Sequence, residues 1–322
     1  MPKVVFFTFL PPDLEQLLTQ YAPPEFEVSA HSIDLTDAEK IPLVRDADFL
    51  VLFPGRISAE VLEAAPRLKF IQLVSAGYDS LDLDLCRKRG IRVANNGGSN
   101  ALDVAEHPLA LILGFYRRLV ELDGRVRHGR WQGSETGNST YTICGKTVGI
   151  VGMGHIGRQV ARLLAAFGAR LLCHDKYLSE TEADFALDIS HTTLEDLLRE
   201  ADIVTLHVPL TEETRHLIGP RQLSLMKPTA LLVNTCRGPV VDEQALIQAL
   251  SNQLIAGAAL DVLEQEPPDP DNPLLKFDHV LLTPHSAGVT RDTWSRRGPF
   301  VFANLQKVWE GKPPSALIGS EN

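Results

Sequence analysis

The chain has 322 residues, 44% of them hydrophobic and 22% charged, values of a globular protein with room for two domains of ordinary size. Its formal net charge of −10, from 31 basic and 41 acidic residues, argues against a general nucleic-acid binder, which needs a basic face to release counterions. No stretch reaches the length of a membrane span, and Cys86, Cys144, Cys173 and Cys236 are too scattered for a metal site or a disulfide framework, so neither membrane nor metal is expected.

The first apolar run, residues 4–10, is stopped by Pro11-Pro12, which makes it a poor signal peptide and a good first strand. With no targeting segment visible, a cytoplasmic location is the expectation. Strands follow at 49–53, 69–74 and 91–94, with helices at 13–21, at 58–65 behind Ser58 as N-cap, and at 81–89 before Gly90. Strands alternating with helices imply a parallel sheet. Asn100 opens a long helix over 101–122, with Asp103 in capping position and Pro108 placed to kink it. Its apolar residues lie on nearly every face, which predicts burial between domains or subunits. Residues 123–142, rich in Gly, Ser, Thr and Arg around Trp131, read equally as a solvated connector or as an arm reaching a partner subunit.

The next strand, 147–151, runs into Gly152-Met153-Gly154-His155-Ile156-Gly157, then a helix over 158–167, an apolar run at 169–173 and Asp175, eighteen positions beyond Gly157. A bare G-x-G-x-x-G is weak evidence, since chance alone produces one in about ten proteins. Strand before, helix after and acidic residue beyond make it the dinucleotide-binding layout. The first glycine permits the turn, the second the approach of a pyrophosphate, the third the packing of helix on strand. The helix N-terminus turns its free N–H groups toward the phosphates. The alternation resumes with strands at 202–208, 230–235, 255–262 and 279–283. Helices are expected at 194–199, at 221–226, at 243–251 behind Asp242, and at 292–309. Because the fingerprint lies in mid-chain, a domain-sized region must precede it.

Three segments fall at or just past strand ends, where open α/β sheets bind ligands: Asn234–Gly238 with Arg237, Asp261–Pro267 with Glu266, and Thr283–Gly288 with His285. Arg237 suits a two-pronged carboxylate clamp, His285 suits proton transfer near neutrality, and Glu266 suits orienting the imidazole. Singly, each is more often an ordinary surface residue. Together, behind one cofactor fingerprint, they form a candidate site.

VSAGYD at 74–79, NGGSNALDVAEH at 96–107, VGIVGMGHIG at 148–157, HVPLTEET at 207–214, LLVNTCRGPVVDEQAL at 231–246, ALDVLEQEP at 259–267 and LLTPHSAG at 281–288 resemble, in this order, the D-isomer-specific 2-hydroxyacid dehydrogenases. The resemblance implies an α/β chain of two doubly wound parallel-sheet domains. A Rossmann NAD-binding domain, 100–289, is then inserted into a flavodoxin-like substrate domain formed by 1–99 and 290–322. It implies hydride transfer between NAD and a 2-keto or D-2-hydroxy acid. Arg237 would hold the carboxylate, His285 would act as general acid and base, and Glu266 would orient His285. Glu266 is preferred over Glu264 because it directly precedes the motif's proline, which leaves Glu264 a bystander.

By the same resemblance Ser75, Ala76 and Gly77 receive the substrate carboxylate. Gly152, Gly154, His155, Ile156 and Gly157 meet the pyrophosphate, and Asp175 takes the adenosine ribose and disfavours NADP. Val208, Pro209 and Thr214 border the adenosine, while Cys236, Asp261, His285 and Gly288 line the nicotinamide side. Cys236 replaces the commoner Ala or Ser and is expected to make the site sensitive to thiol reagents. Phe53–Gly55, Tyr78 and Trp294 are candidates for shaping the pocket, as readily as for plain packing. The family is usually dimeric, and a homodimer is expected. The alternatives are an NAD(H)-sensing protein like the corepressors of this fold, which carry longer terminal extensions, and a short phosphoglycerate dehydrogenase. Formate and phosphite dehydrogenases of the family are disfavoured by Glu266 and Ala76.

Overall fold

The computed structural model describes residues 1–131, 133–177 and 187–319. They form two compact units, Met1–Asn100 with Val289–Asn322, and Ala101–Gly288.

In the first unit, strands β1 (Lys3–Thr8), β2 (Glu27–Ser32), β3 (Phe49–Phe53), β4 (Phe70–Leu73) and β5 (Arg92–Ala94) pair in parallel in the order β2-β1-β3-β4-β5. This is the flavodoxin-like order. Alternate residues feed two cores. Phe49, Val51 and Phe53 enter one, Leu50 and Leu52 the other, as a sheet covered on both faces requires. Helices α1 (Pro12–Thr19), α2 (Asp37–Val44), α3 (Ala59–Glu63) and α4 (Leu83–Lys88) connect the strands. Ser58 caps α3 by accepting from the Val61 N–H, as expected.

The last helix of the chain, Arg291–Trp309, belongs to this unit by its packing: Trp294, Val301, Phe302, Leu305 and Val308 enter the same core as Phe49. Buried Asn304 seals it there, donating to Gln72 Oε1 at 2.8 Å while holding Ser315 through both its backbone N–H and carbonyl. Trp294 is fully buried against the Phe53 ring, so within this unit it is a core residue.

The second unit opens with α5 (Ala101–Tyr116) and α6 (Leu119–Arg127). The long helix expected over 101–122 is therefore two. α5 runs through Pro108, and the break comes at Arg118, whose backbone turns left-handed at φ 51°. Burial is also one-sided: Val104, Ala105, Leu111 and Ile112 are buried, while Leu102, Leu119 and Val120 are exposed. After a short 3-10 turn at Ser134–Thr136, seven strands follow: β6 (Thr147–Val151), β7 (Arg170–His174), β8 (Ile189–His191), β9 (Ile203–Leu206), β10 (Leu231–Asn234), β11 (Gly257–Leu260) and β12 (Val280–Leu282).

All seven pair in parallel in the order β12-β11-β10-β9-β6-β7-β8. This is the Rossmann arrangement, with its topological switch between β6 and β9. The helices are α7 (His155–Ala166), α8 (Leu194–Glu200), α9 (Pro220–Leu225) and α10 (Glu243–Ser251), the last capped by Asp242. α7 starts three residues earlier than its apolar stripe suggested, because Gly154 serves as its N-cap. Strands β2 and β8 and helix α2 were not anticipated from the sequence.

Candidate active site

Six segments at the carboxyl ends of β6, β7, β9, β10, β11 and β12, the first running into α7, carry every candidate residue of the second unit. The first three bear the nucleotide features. Gly152 takes φ +94°, and a Cβ there would meet the His207 carbonyl oxygen at 2.6 Å and Val208 Cγ1 at 3.0 Å, so the turn packs directly on the β9 loop. A Cβ on Gly157 would lie 2.0 Å from the Gly152 oxygen, which only glycine avoids. A Cβ on Gly154 would meet nothing within 4 Å. Thus two glycines serve close packing, and the middle one leaves an open face.

That open face sits at the N-terminus of α7, which has no side-chain cap and no acidic residue in its first turn. Exposed His155 and half-buried Ile156 occupy that turn. A pyrophosphate suits such a helix end, which offers uncapped N–H groups and the positive end of the dipole. Asp175, one residue past β7, accepts from the Met153 N–H at 2.7 Å and the Tyr177 N–H at 2.9 Å. Its carboxylate keeps further lone pairs for ribose hydroxyls. Thr214 closes the β9 loop by donating to the Pro209 carbonyl at 2.6 Å. The residues present therefore fit a dinucleotide.

The other three loops hold the ionisable side chains. Glu266 Oε2 lies 2.6 Å from His285 Nδ1, and Glu266 Oε1 accepts from the Leu263 N–H at 3.1 Å. A carboxylate acceptor fixes Nδ1 as the protonated nitrogen and leaves Nε2 as the one that can exchange a proton with a ligand. His285 itself is left-handed at φ 50°, an uncommon conformation for a residue with a Cβ.

Buried Asp261 holds that conformation. Its Oδ1 accepts from Thr283 Oγ1 at 2.6 Å and the Ser286 N–H at 2.9 Å, its Oδ2 from the Ala287 N–H at 2.9 Å, and its carbonyl from the His285 N–H at 2.8 Å. Burial works to raise the Asp261 carboxyl, but the hydrogen bonds from His107, Thr283, Ser286 and Ala287 outweigh it and hold the group below its ordinary value. Arg237 follows β10, half-buried, with Nη1 donating to the Cys236 carbonyl at 2.6 Å. The glycine after it abuts the β11 loop, since a Cβ on Gly238 would fall 1.9 Å from the Leu263 oxygen. Contacts thus join all three loops, and Arg237, Glu266 and His285 belong to one braced structure.

One expectation changes. The Cys236 thiol donates to Asn234 Oδ1 at 3.1 Å, and burial pushes it up to about 11, so it is almost wholly protonated at neutral pH and a poor target for thiol reagents. Glu264 stands apart from His285 but braces the loop, a part its sequence position does not reveal. It accepts from His216 Nε2 at 2.8 Å and exchanges backbone hydrogen bonds with Glu243, which Asn272 holds in turn at 2.7 Å. His107 was also missed: its Nε2 donates to Thr283 Oγ1 at 2.9 Å across 176 positions, a pairing no local pattern reveals. Ser75, Ala76 and Gly77 lie in the first unit after β4, pinned by Asn95 Nδ2 to the Ala76 carbonyl at 3.0 Å and the Asn96 N–H to the Ser75 carbonyl at 3.1 Å.

Residues 109–287 match the family model described as "D-isomer specific 2-hydroxyacid dehydrogenase, NAD binding domain". The chain belongs to the D-isomer-specific 2-hydroxyacid dehydrogenases. A glyoxylate reductase of Korarchaeum cryptofilum is 44% identical over 301 residues, 92% of this chain and 90% of that one. The crystal structure of the TT0316 protein from Thermus thermophilus superposes with a TM-score of 0.86 at 36% identity, covering 98% of this chain and 99% of its own. TP0037 from Treponema pallidum, a D-lactate dehydrogenase, does so with 0.82 at 28% identity, over 98% and 99% of the two chains. The dehydrogenase is accordingly an NAD-dependent oxidoreductase that interconverts 2-keto acids and D-2-hydroxy acids. No helix among its described residues is long and apolar enough to cross a membrane.

Proposed function

We propose that this dehydrogenase reduces small 2-keto acids, glyoxylate foremost, with Arg237 as carboxylate clamp, His285 as general acid and Glu266 as its orienting partner. The observation that carries the reading is the 2.6 Å bond between Glu266 Oε2 and His285 Nδ1. A carboxylate there holds the ring in place and leaves Nε2 as the nitrogen that meets the ligand. Bound NADH supplies the hydride. Protonated His285 delivers the Nε2 proton to the developing alkoxide and recovers it in the reverse direction. Arg237 neutralises the carboxylate and polarises the carbonyl beside it. We assign substrate binding to the first unit as well, through the backbone of Ser75, Ala76 and Gly77. Gly152 to Gly157 hold the pyrophosphate, Val208, Pro209 and Thr214 border the adenosine, and Cys236, Asp261 and Gly288 line the nicotinamide side. Asp175 binds the adenosine ribose and sets the preference for NAD.

Glyoxylate is favoured by the 44% identical glyoxylate reductase. A homodimer is supported by α6, which has no buried residue and exposes Leu119, Val120 and Val126, with Trp131 85% exposed just beyond. Cytoplasmic operation accords with dependence on an NADH pool.

The test is NADH oxidation over glyoxylate, hydroxypyruvate, phosphohydroxypyruvate, pyruvate and branched or aromatic 2-keto acids. The highest kcat/KM is expected for glyoxylate. A larger acid in first place overturns that choice. Turnover of none, with NADH still bound, favours the sensing role.

A further inference from the structure

Directly after Asp175 stands Lys176, the cation that an adenosine 2′-phosphate would seek. It is already engaged. Lys176 Nζ donates to Glu213 Oε1 at 2.8 Å and to Oε2 at 2.7 Å, and the Tyr177 hydroxyl adds a bond to Glu213 Oε2 at 3.3 Å. Glu213 comes from the far side of the switch point, in the loop after β9. That loop is stiffened by Thr211 and Thr214, whose backbone N–H groups donate to each other's hydroxyls at 2.8 and 3.2 Å. The hydrogen bond between the pair raises the lysine and lowers the glutamate, so both stay charged near neutrality.

We propose that Glu213 is a second determinant of NAD over NADP, acting by occupying Lys176, the residue next to Asp175. The inference rests on the proposed placement of the adenosine ribose at Asp175. A 2′-phosphate arriving there meets the Asp175 carboxylate and a lysine whose charge is spent. Without the Glu213 charge it meets the same carboxylate and an available lysine. Both partners are solvent-exposed, so the pair adds little to stability, and the lever is the local charge rather than the strength of the ion pair. Screening follows: the discrimination due to Glu213 weakens as ionic strength rises, because the Debye length shortens from about 30 Å at 0.01 M to about 8 Å at 0.15 M.

The test measures direct binding of adenosine 2′,5′-bisphosphate and of 5′-AMP to the intact enzyme by calorimetry at low and physiological salt. The proteins are the wild type, Glu213→Gln, Lys176→Gln, the double variant and Asp175→Ala. In Glu213→Gln the affinity ratio of bisphosphate to AMP is expected to rise about two- to fivefold, the scale of a single exposed charge pair. The gain should shrink with salt and vanish in the double variant. An unchanged ratio in Glu213→Gln overturns the inference, as does a gain that survives loss of Lys176. Asp175→Ala separates the two readings. If it raises the ratio while Glu213→Gln does not, the ribose placement stands and Glu213 has no part. If it leaves the ratio unchanged, the ribose placement itself fails.

Discussion

The two halves of the seven-stranded sheet solve the same problem with different materials. On the β6, β7 and β9 side, the work is done by backbone: a positive-φ glycine, a glycine with no room for a Cβ and an uncapped helix end. On the β10, β11 and β12 side it is done by side chains that brace one another, from Asp261 under the His285 loop to Glu264 and Glu243 behind Glu266. A phosphate can be met by unspecialised N–H groups, whereas proton transfer needs one nitrogen aimed from one place. The halves meet at Cys236, whose buried thiol interacts with the backbone of Val208.

The largest test of this contrast removes one side chain from the half proposed to be catalytic. His285→Ala should lower kcat by about a hundred- to ten-thousandfold while NADH binding, measured by fluorescence titration, stays within about twofold. Comparable loss of NADH binding would mean that the halves are not separable. The converse test breaks the backbone half. Gly157→Ala places a methyl 2.0 Å from the Gly152 oxygen, so the turn must move. A loss of about 3 kcal/mol in unfolding free energy is expected, the upper end for overpacking, with weakened NADH binding. Wild-type stability and affinity would show that the turn yields easily.

How far each half could be read from the chain follows from the same contrast. Backbone roles are written in glycine spacing, so Gly152, Gly154 and Gly157 were legible within six positions. Arg237, Glu266 and His285 became legible only because three separate strand ends each carried an ionisable residue. Their braces were not legible, since His107 meets Thr283 across 176 positions and His216 meets Glu264 across 48. In the fold, the unanticipated strands β2 and β8 are both sheet edges. Edge strands are short or polar and lack the apolar run that marks a central strand. β2 reads EVSAHS, and β8 has three residues. Helix α2 carries Pro42 inside it, which masks the Thr36–Glu39 capping box at its start. The break at Arg118 has neither Gly nor Pro to announce it.

A smaller effect tests the bracing directly. Asp261→Asn keeps the size but leaves an amide NH2 facing one of the N–H groups of Ser286 and Ala287. We expect a loss of about 2 kcal/mol in unfolding free energy, the scale of a buried donor left unsatisfied, with a fall in kcat as the His285 loop loosens. Unchanged stability together with unchanged kcat would show that the loop holds its shape without Asp261. The sign with pH is fixed. A carboxyl held below its ordinary 3.8 in the folded state stabilises above that value, and the contribution disappears as pH falls through the lowered one.

The effect that is smallest at neutral pH comes from the half with the glycine turn and grows on mild acidification. His207 lies behind the glycine turn, with Nε2 2.9 Å from Thr205 Oγ1, and burial pushes its imidazole from 6.5 down to about 3. The unfolded chain therefore takes up a proton near pH 6.5 that the folded chain refuses until about pH 3. The contribution of His207 to stability is complete above 6.5 and falls as pH drops through that window. Its slope is at most about 1.4 kcal/mol per pH unit, the value for one proton. His207→Gln keeps a hydrogen-bonding partner for Thr205 and cannot titrate. The difference in unfolding free energy between wild type and variant, from urea titrations at pH 7.5, 6.5, 5.5 and 4.5, should be flat above 6.5 and slope below it. Asp261 contributes nothing to that slope, because it is ionised in both states until about pH 4. A difference that stays flat down to pH 4.5 would mean that the folded chain protonates His207 as readily as the unfolded one. Acid would then act on both halves alike.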